Sequence, residues 1–278
     1  MINTGGFFIV VINLNEKIFK MSSAGNSYVY VSGKKLSKED IKTLSYKNLS
    51  DGVVFIYRRG KTYGFLIYNK DGSKARFCGN AAICVAKYLC DSRLVLSREF
   101  CILTGSGRKK VYKTGSGKKQ KVRLEVGYPH FLRLNGKQVL QNRKPLLLNL
   151  HGKKIKLICS YVFVGNKHLV IFGEYDDNEK QEIVNELSKS HAFKGGVNVE
   201  FVRIIKNKIY ADVYERGSGK TLSCGSGAAA CFFAALKSGF KCNKADVVFE
   251  GGAITVLRIN GKVYIQSTPV YENLLYKE

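Results

Sequence analysis

Histidine, proline and paired cysteine spacings are scarce in this sequence, and these shortages exclude several kinds of site. Only 3 of the 278 residues are proline and 4 are histidine. The histidines are scattered and no C-x-x-C pair occurs, so we expect no metal site. The apolar stretch within residues 1–16 is too short to span a bilayer and lacks the features of a secretory signal. We expect no membrane partner and interpret residues 1–16 as an extra strand or an appended leader.

Acidic residues are also few, 21 against 46 lysines and arginines, which gives a net charge of +25. Such a charge is compatible with nucleic-acid binding, but the lysines are spread along the whole chain. The densest stretch, Arg108 to Arg123, predicts a β-hairpin with solvated basic arms around Gly115-Ser116-Gly117. No zinc-finger spacing or RNA-binding aromatic pattern accompanies it. A basic nucleic-acid-binding protein therefore remains only a distant alternative, and we expect no nucleic-acid partner.

What the sequence has in plenty is short apolar runs that predict strands. Examples are FFIVVI, VVFIY, GFLIY, HLVIF and AITVLRI, within a chain that is 45% hydrophobic. Helical patterns follow Cys78 and Cys224, and weaker ones cover residues 37–47 and 177–190. This mixture predicts an α+β fold with mostly antiparallel sheets, built as two strand-rich lobes that each wrap one central helix.

One pattern occurs twice along the chain. Each copy contains a cysteine followed by glycine, a short polar residue and a run of small apolar residues: Cys78-Gly79-Asn80 before AAICVAKYL, and Cys224-Gly225-Ser226 before GAAACFFAAL. Matched residues lie upstream at equal distances from the two cysteines: Asn69 and Glu215 nine residues before, and Gly52 and Asn198 26 residues before. Further upstream, Gly25-Asn26 is matched by Gly165-Asn166. Two copies that each deliver a cysteine to a helix start indicate a paired-thiol active site between two lobes.

Eight cysteines without a signal peptide favour a reducing cytoplasm. Free cysteines are usually small buried hydrophobes, and six of the eight fit that description. Cys78 and Cys224 differ, because each precedes the exposed N–H groups of a helix start, where a thiolate is stabilised. We predict that these two are catalytic.

Two thiols at two helix starts suit proton transfer at the α-carbon of an amino acid. That reaction needs a base on one face of the carbon, an acid on the other, and hydrogen-bond donors on the α-carboxylate. Backbone amides at helix N-termini supply such donors. The sequence offers no convincing lysine context for a pyridoxal cofactor, so we expect none.

The motifs that surround these residues resemble those of the diaminopimelate epimerase family, over residues 17–278. AGNSYVYV is similar to the family's opening GND[FY] segment, YNKDGSKARFCGN to its N-x-DGS-x-x-x-x-CGN motif, and VGNKHLVIF to its GNPH motif. GGVNVEFV is similar to TNVEFV, and YERGSGKTLSCGSG to YERG-x-G-x-T-x-x-CG[TS]G.

The resemblance implies a role for each matched residue. Cys78 and Cys224 exchange a proton with the substrate as base and acid, and His168 and Glu215 adjust their ionisation. The substrate-binding set that it implies is Asn26, Asn69, Gly79, Asn80, Asn166, Asn198, Glu215, Arg216, Gly225 and Ser226. Arg216 is suited to grip a distal carboxylate. The resemblance also implies two lobes, one of residues 17–128 plus 268–278 and one of residues 129–267. It further implies a small-molecule amino-acid substrate and a homodimer.

Departures from the family pattern leave the substrate open. Gly52 stands where glutamine is usual, Ser27 replaces the aspartate of GNDF, and Lys167 replaces the proline of GNPH. The alternative is a pyridoxal-independent racemase of another amino acid, such as histidine or a lanthionine-like diamino acid. An isomerase of the same fold with a carboxylate base, as in phenazine biosynthesis, is disfavoured because both catalytic positions hold cysteine.

Overall fold

The computed structural model describes residues 2–3, 8–9, 17–33, 36–115, 121–134, 138–140 and 143–276. The chain divides into two compact units, one of Met1–Glu125 with Gln266–Glu278 and one of Val126–Ile265. The predicted strand or leader at 1–16 lies mostly outside the described residues. Within it the described pieces are two short strands that pair antiparallel, β1 (Ile2–Asn3) and β2 (Phe8–Ile9).

Helices occupy all four segments in which the sequence predicts them: α1 (Lys38–Lys47), α2 (Gly79–Asp91), α3 (Asp177–Lys189) and α4 (Gly225–Lys237). The two weaker patterns are fixed by their N-termini. Ser37 and Asp176 each form a capping box with an acidic residue three positions on, which satisfies amides that the helix leaves unpaired. None of the helices in the described ranges has an apolar stretch long enough to cross a bilayer. A short 3-10 turn, His191–Phe193, follows α3.

The first unit is built from β3 to β10 together with the C-terminal strand. Their bounds are β3 (Lys17–Ser23), β4 (Asn26–Ser32), β5 (Gly52–Arg59), β6 (Thr62–Asn69), β7 (Lys74–Ala75), β8 (Glu99–Thr104), β9 (Gly107–Thr114), β10 (Lys121–Gly127) and β23 (Val270–Tyr276). β9 and β10 form the predicted basic hairpin, whose tip at 116–120 is outside the described residues. β23 pairs antiparallel with β3, so the end of the chain joins the first unit.

The second unit contains most of the remaining strands. Their bounds are β11 (His130–Phe131), β12 (Arg133–Leu134), β13 (Gln138–Val139), β14 (Lys144–Leu150), β15 (Lys153–Phe163), β16 (Lys167–Phe172), β17 (Asn198–Ile205), β18 (Lys208–Glu215), β19 (Gly219–Thr221), β20 (Lys244–Phe249), β21 (Gly252–Ile259) and β22 (Lys262–Ser267).

The same succession of strand pairings occurs in each unit. In the first, β3–β4 is antiparallel, β4–β5 parallel, β5–β6 antiparallel, β6–β8 parallel and β8–β9 antiparallel. In the second, β15–β16, β16–β17, β17–β18, β18–β20 and β20–β21 repeat that order. The predicted α+β fold with two similar strand-rich lobes is confirmed. The sheets contain more parallel pairing than the sequence suggested, because the helices serve as crossovers between strands that run in the same direction.

The helix that follows each cysteine is enclosed by its own unit. In α2 every residue from Gly79 to Cys90 except Lys87 is buried. In α4 the buried side is equally broad and consists mainly of alanine. Small side chains allow strands to approach the helix from several directions, and six strands between β15 and β21 contact α4. A helix apolar on nearly all faces is stable only in such surroundings, which fixes the position of the cysteine at its start.

Candidate active site

Cys78 is the residue at which α2 begins. Its backbone is extended, with φ −138° and ψ 125°, and its carbonyl accepts the first helical hydrogen bond from Ala82 at 3.0 Å. The side chain is half-buried, and the hydroxyl of Tyr28 donates to its Sγ at 3.6 Å. The thiol therefore lies beside the open amides of a helix N-terminus, where a thiolate is favoured.

Asn26 and Asn80 lie together in the same unit. The Nδ2 group of Asn80 donates to Oδ1 of Asn26 at 2.5 Å, and both side chains are buried. Asp51 contacts Asn26 and the residue after it. Its Oδ2 accepts from the backbone amide of Ser27 at 2.9 Å and from Nδ2 of Asn26 at 3.5 Å. The sequence analysis missed Asp51. Its position just before β5, beside the start of the parallel strand β4, was the available signal.

Asn69 and Asn166 are both engaged in turns. Asn69 ends β6 and donates from Nδ2 to the hydroxyl of Ser73 at 2.9 Å, while its carbonyl accepts from Gly72. Asn166 accepts the amide of Lys167 on its own Oδ1 at 3.0 Å. These are the hydrogen bonds that asparagine ordinarily makes in turns. A substrate-binding role for Asn69 and Asn166 stays a prediction.

Cys224 begins α4 in nearly the same backbone conformation as Cys78, with φ −140° and ψ 120°. It is buried, and three groups contact its sulfur. The thiol donates to Oε2 of Glu215 at 3.5 Å, the hydroxyl of Ser226 lies at 3.4 Å, and the amide of Gly227 donates to the sulfur at 3.4 Å.

Burial raises the pKa of the Cys224 thiol well above its ordinary value, and the nearby charges of Glu215 and Glu200 raise it further. Hydrogen bonds from Ser226 and Gly227 act in the opposite direction. Both cysteines were expected to favour the thiolate because each starts a helix. At Cys224 burial and two carboxylates outweigh the helix terminus, and the free protein holds a thiol there.

Glu215 is a largely enclosed carboxyl group with part of its side chain still accessible. Burial raises the pKa of Glu215, against the lowering effects of bonds with Thr221 and Cys224 and of nearby His168. Thr221 donates to its Oε1 at 2.8 Å, so both carboxyl oxygens are occupied. The sequence repeat therefore places Glu215 in direct contact with Cys224, and Thr221, which the sequence analysis passed over, orients it.

His168 is completely buried on β16 and contacts Glu200, which is equally buried on β17. Its Nδ1 lies 2.6 Å from Oε1 of Glu200. Among the described residues, His168 Nε2 and Glu200 Oε2 have no hydrogen-bond partner. Glu200 was missed as a functional residue, although an acidic residue inside the apolar run VNVEFV was the available signal.

Asn198 and Arg216 are joined through the backbone. Oδ1 of Asn198 accepts the amide of Arg216 at 2.9 Å, and its buried Nδ2 has no partner among the described residues. The exposed guanidinium of Arg216 donates from Nη1 to the carbonyl of Gly195 at 2.6 Å, which orients the planar fork.

The first helical residues, Gly79 in α2 and Gly225 in α4, are both buried, and Ser226 follows the second. Open amides at two helix starts are ready donors for a carboxylate. In the described ranges, no three His, Cys, Asp or Glu side chains are grouped in a way that could hold a metal ion.

Known proteins similar to this chain point in one direction. The family model for diaminopimelate epimerase matches residues 160–270. Diaminopimelate epimerase from Rickettsia felis is 32% identical over 261 residues, which cover 89% of this chain and 92% of that protein. The Rickettsia prowazekii enzyme of the same name is 32% identical over 265 residues, covering 91% and 93%.

Solved structures share the fold at much lower identity. A phenazine biosynthesis protein of the PhzF family from Bacillus anthracis has a TM-score of 0.68 at 12% identity, covering 94% of this chain and 98% of that one. A hydroxyproline epimerase from Agrobacterium vitis has a TM-score of 0.64 at 13% identity, covering 93% and 91%. At these identities the likeness shows the fold alone.

Proposed function

Because this chain belongs to the diaminopimelate epimerase family, we propose that it interconverts LL- and meso-diaminopimelate. Its relatives make it an epimerase; the substrate and the chemical steps are our proposal. The observation that carries the proposal is the recurrence of one arrangement, a cysteine that begins a buried helix, in both units.

We propose that Cys78 and Cys224 act on the same α-carbon. In one direction the thiolate of one cysteine removes the α-proton, and the thiol of the other gives a proton to the opposite face, which inverts the centre. Each cysteine ends in the state in which the other began, so the reverse reaction uses them in exchanged roles. The Cys224 thiol, protonated beside Glu215, is suited to give the proton first.

The carbanion formed on proton loss places charge on the α-carboxylate. The amides of Gly79, Asn80, Gly225 and Ser226 at the helix starts are suited to stabilise that charge. Amide side chains of Asn26, Asn69, Asn166 and Asn198 would bind the polar groups of the substrate. We assign the distal carboxylate to Arg216, whose fork is already oriented by Gly195.

This reaction would serve lysine and peptidoglycan synthesis in a reducing compartment, which the eight cysteines, all outside disulfides, support. The homodimer implied by the family is part of the same proposal. No cofactor is needed, because both proton-transfer groups belong to the chain.

The test is incorporation of deuterium at the α-carbon in D₂O, with LL-diaminopimelate beside a panel that includes histidine and lanthionine. We expect rapid exchange and inversion with diaminopimelate alone. Cys78→Ala or Cys224→Ala should abolish turnover, whereas Cys101→Ala, a half-buried cysteine on β8, should leave it unchanged. Exchange with another amino acid and none with diaminopimelate would establish the racemase alternative. Full activity without either cysteine would refute both.

A further inference from the structure

Three of the buried positions at which the two copies of the repeat differ lie on the strands or the helix around each cysteine. The cysteines are 146 residues apart (224 − 78), and the same offset relates β5 to β17 and α2 to α4. Further upstream the offset is 140 (168 − 28), and Gly25-Asn26-Ser27-Tyr28 corresponds to Gly165-Asn166-Lys167-His168. The first copy therefore has Tyr28, Val54 and Ala81 where the second has His168, Glu200 and Gly227.

The three residues of the second copy depend on one another. Oε1 of Glu200 lies 2.6 Å from Nδ1 of His168 inside the unit. A Cβ at position 227 would lie 2.7 Å from Oε1 of Glu200 and 3.1 Å from Cβ of Cys224. An alanine there would displace the carboxylate, and only glycine leaves it room. The first copy has Ala81 and the apolar Val54 at the corresponding positions.

The contact determines where the imidazole of His168 carries its proton. An ionised carboxylate can only accept, so the proton between the two groups belongs to Nδ1. The other ring nitrogen, Nε2, has no hydrogen-bond partner among the described residues. Buried polar atoms are rarely left in that state without a functional reason. Glu200 Oε2 is likewise buried and has no hydrogen-bond partner among the described residues, and burying a polar atom in that state is unfavourable.

We propose that Glu200 is a positioning residue that fixes the proton of His168 on Nδ1 and makes the two catalytic thiols chemically inequivalent. This inference rests on the proposed function for its catalytic meaning. The first copy has no ionisable counterpart of Glu200, because Val54 is apolar. The asymmetry is therefore built into the sequence of the repeat.

The electrostatics agree with this assignment. Glu215 on β18 contacts the sulfur of Cys224, and the charge of Glu200 on β17 also acts on it. Glu200 in turn contacts His168 on β16, and its charge acts on Cys231, two helix turns after Cys224 in α4. The charge of Glu200 contributes to the raised pKa of the Cys224 thiol and of Cys231. Neutralising Glu200 should thus make the Cys224 thiolate easier to form.

The tautomer can be tested directly, because the chain has only 4 histidines. Long-range ¹H–¹⁵N spectra of histidine-labelled protein should show the Nδ1–H form for His168, with a strongly downfield proton. Glu200→Gln should shift or remove that signal. The matched control is Glu182→Gln, which removes the exposed partner of His151 at 3.5 Å and should leave His168 unchanged. An Nε2–H form in the unmodified protein would overturn the proposal.

The second readout is the alkylation rate of each cysteine against pH, measured by peptide mass mapping without substrate. Glu200→Gln should speed alkylation of Cys224 at fixed pH, with about tenfold for each unit of lowered thiol pKa, and leave Cys78 unchanged. The volume-matched double variant Glu200→Val with Gly227→Ala, which copies the first repeat, should do the same if Glu200→Gln folds poorly. Unchanged Cys224 rates in folded variants would refute the proposal.

Turnover separates this inference from the proposed function. Glu200→Gln should lower kcat by roughly 10- to 100-fold, the range for losing an orienting partner behind a histidine. The loss should be accompanied by a displaced pH profile, which a merely structural defect would not produce. If no amino acid is epimerised by the unmodified protein, the proposed function fails while the spectra and alkylation rates still report on Glu200.

Discussion

Replacing Glu215 with glutamine should release the Cys224 thiol from its strongest charged neighbour. The carboxyl group accepts the thiol proton across 3.5 Å, and a negative charge at that distance opposes formation of a thiolate. Glutamine keeps the shape of the side chain, and its Oε1 can still accept from Thr221. The substitution therefore removes charge with little change in packing.

The size of the effect follows from the distance. Two unit charges 3.5 Å apart repel by about 5 kcal/mol at an effective dielectric constant of 20. Water at the accessible part of Glu215 reduces this figure, but a tenfold change in thiolate population needs only about 1.4 kcal/mol. We expect Cys224 to be alkylated at least about tenfold faster than in the unmodified protein, at a pH where Glu215 is ionised.

The pH dependence provides a second test of the predicted increase in the alkylation rate of Cys224. Because burial raises the pKa of Glu215, the carboxyl group is neutral at low pH, and the two proteins should then converge. In turnover, the alkaline limb of kcat/KM should move to lower pH in the direction in which Cys224 donates its proton. Thr221→Val, which keeps the charge and removes only a hydrogen bond, should change the alkylation rate by less than about threefold. Equal rates for Glu215→Gln and the unmodified protein across the pH range would refute the reasoning.

Three further predictions concern stability and the other cysteine. Gly52→Ala should lower the free energy of unfolding by about 1–3 kcal/mol or more in urea titrations, since its Cβ would lie 2.0 Å from the carbonyl oxygen of Tyr68. Gly60→Ala, whose Cβ would have open space around it, should lower the same free energy by about 1 kcal/mol. Tyr28→Phe should slow alkylation of Cys78 at fixed pH, because its thiolate loses a donor; an unchanged rate would contradict this. Glu215→Gln should stabilise the fold above the raised pKa of that group and have no effect below the pKa of the unfolded carboxyl, as thermal melts at several pH values can show.

The fold was accessible from the sequence because its strongest signals are local. Short apolar runs predicted the strands, and small-residue runs after Cys78 and Cys224 predicted the buried helices. The parallel pairs were not predictable in this way, since pairing direction depends on where a crossover returns the chain. The repeat contained that information only as an order of elements that occurs twice.

The site was predicted less completely than the fold. The repeat and the motifs predict Cys78, Cys224 and Glu215 as site residues, whereas Glu200 and Asp51 became candidates only through their contacts with His168 and Asn26. An acidic residue within a strand says nothing about its partner until the neighbouring strand is in register. Burial, which decides the ionisation of Cys224, is likewise a property of the packed unit rather than of the helix start.

The repeated order of strands and helices has a consequence for how such a catalyst can diverge. An assembly of two identical half-length chains would force every substitution to appear in both copies of the repeat at once. Fusion into one polypeptide removes that constraint, so one half can acquire an acidic group while its counterpart stays aliphatic. Natural variation in this lineage should therefore concentrate unevenly between the halves, even where their order of strands and helices stays the same.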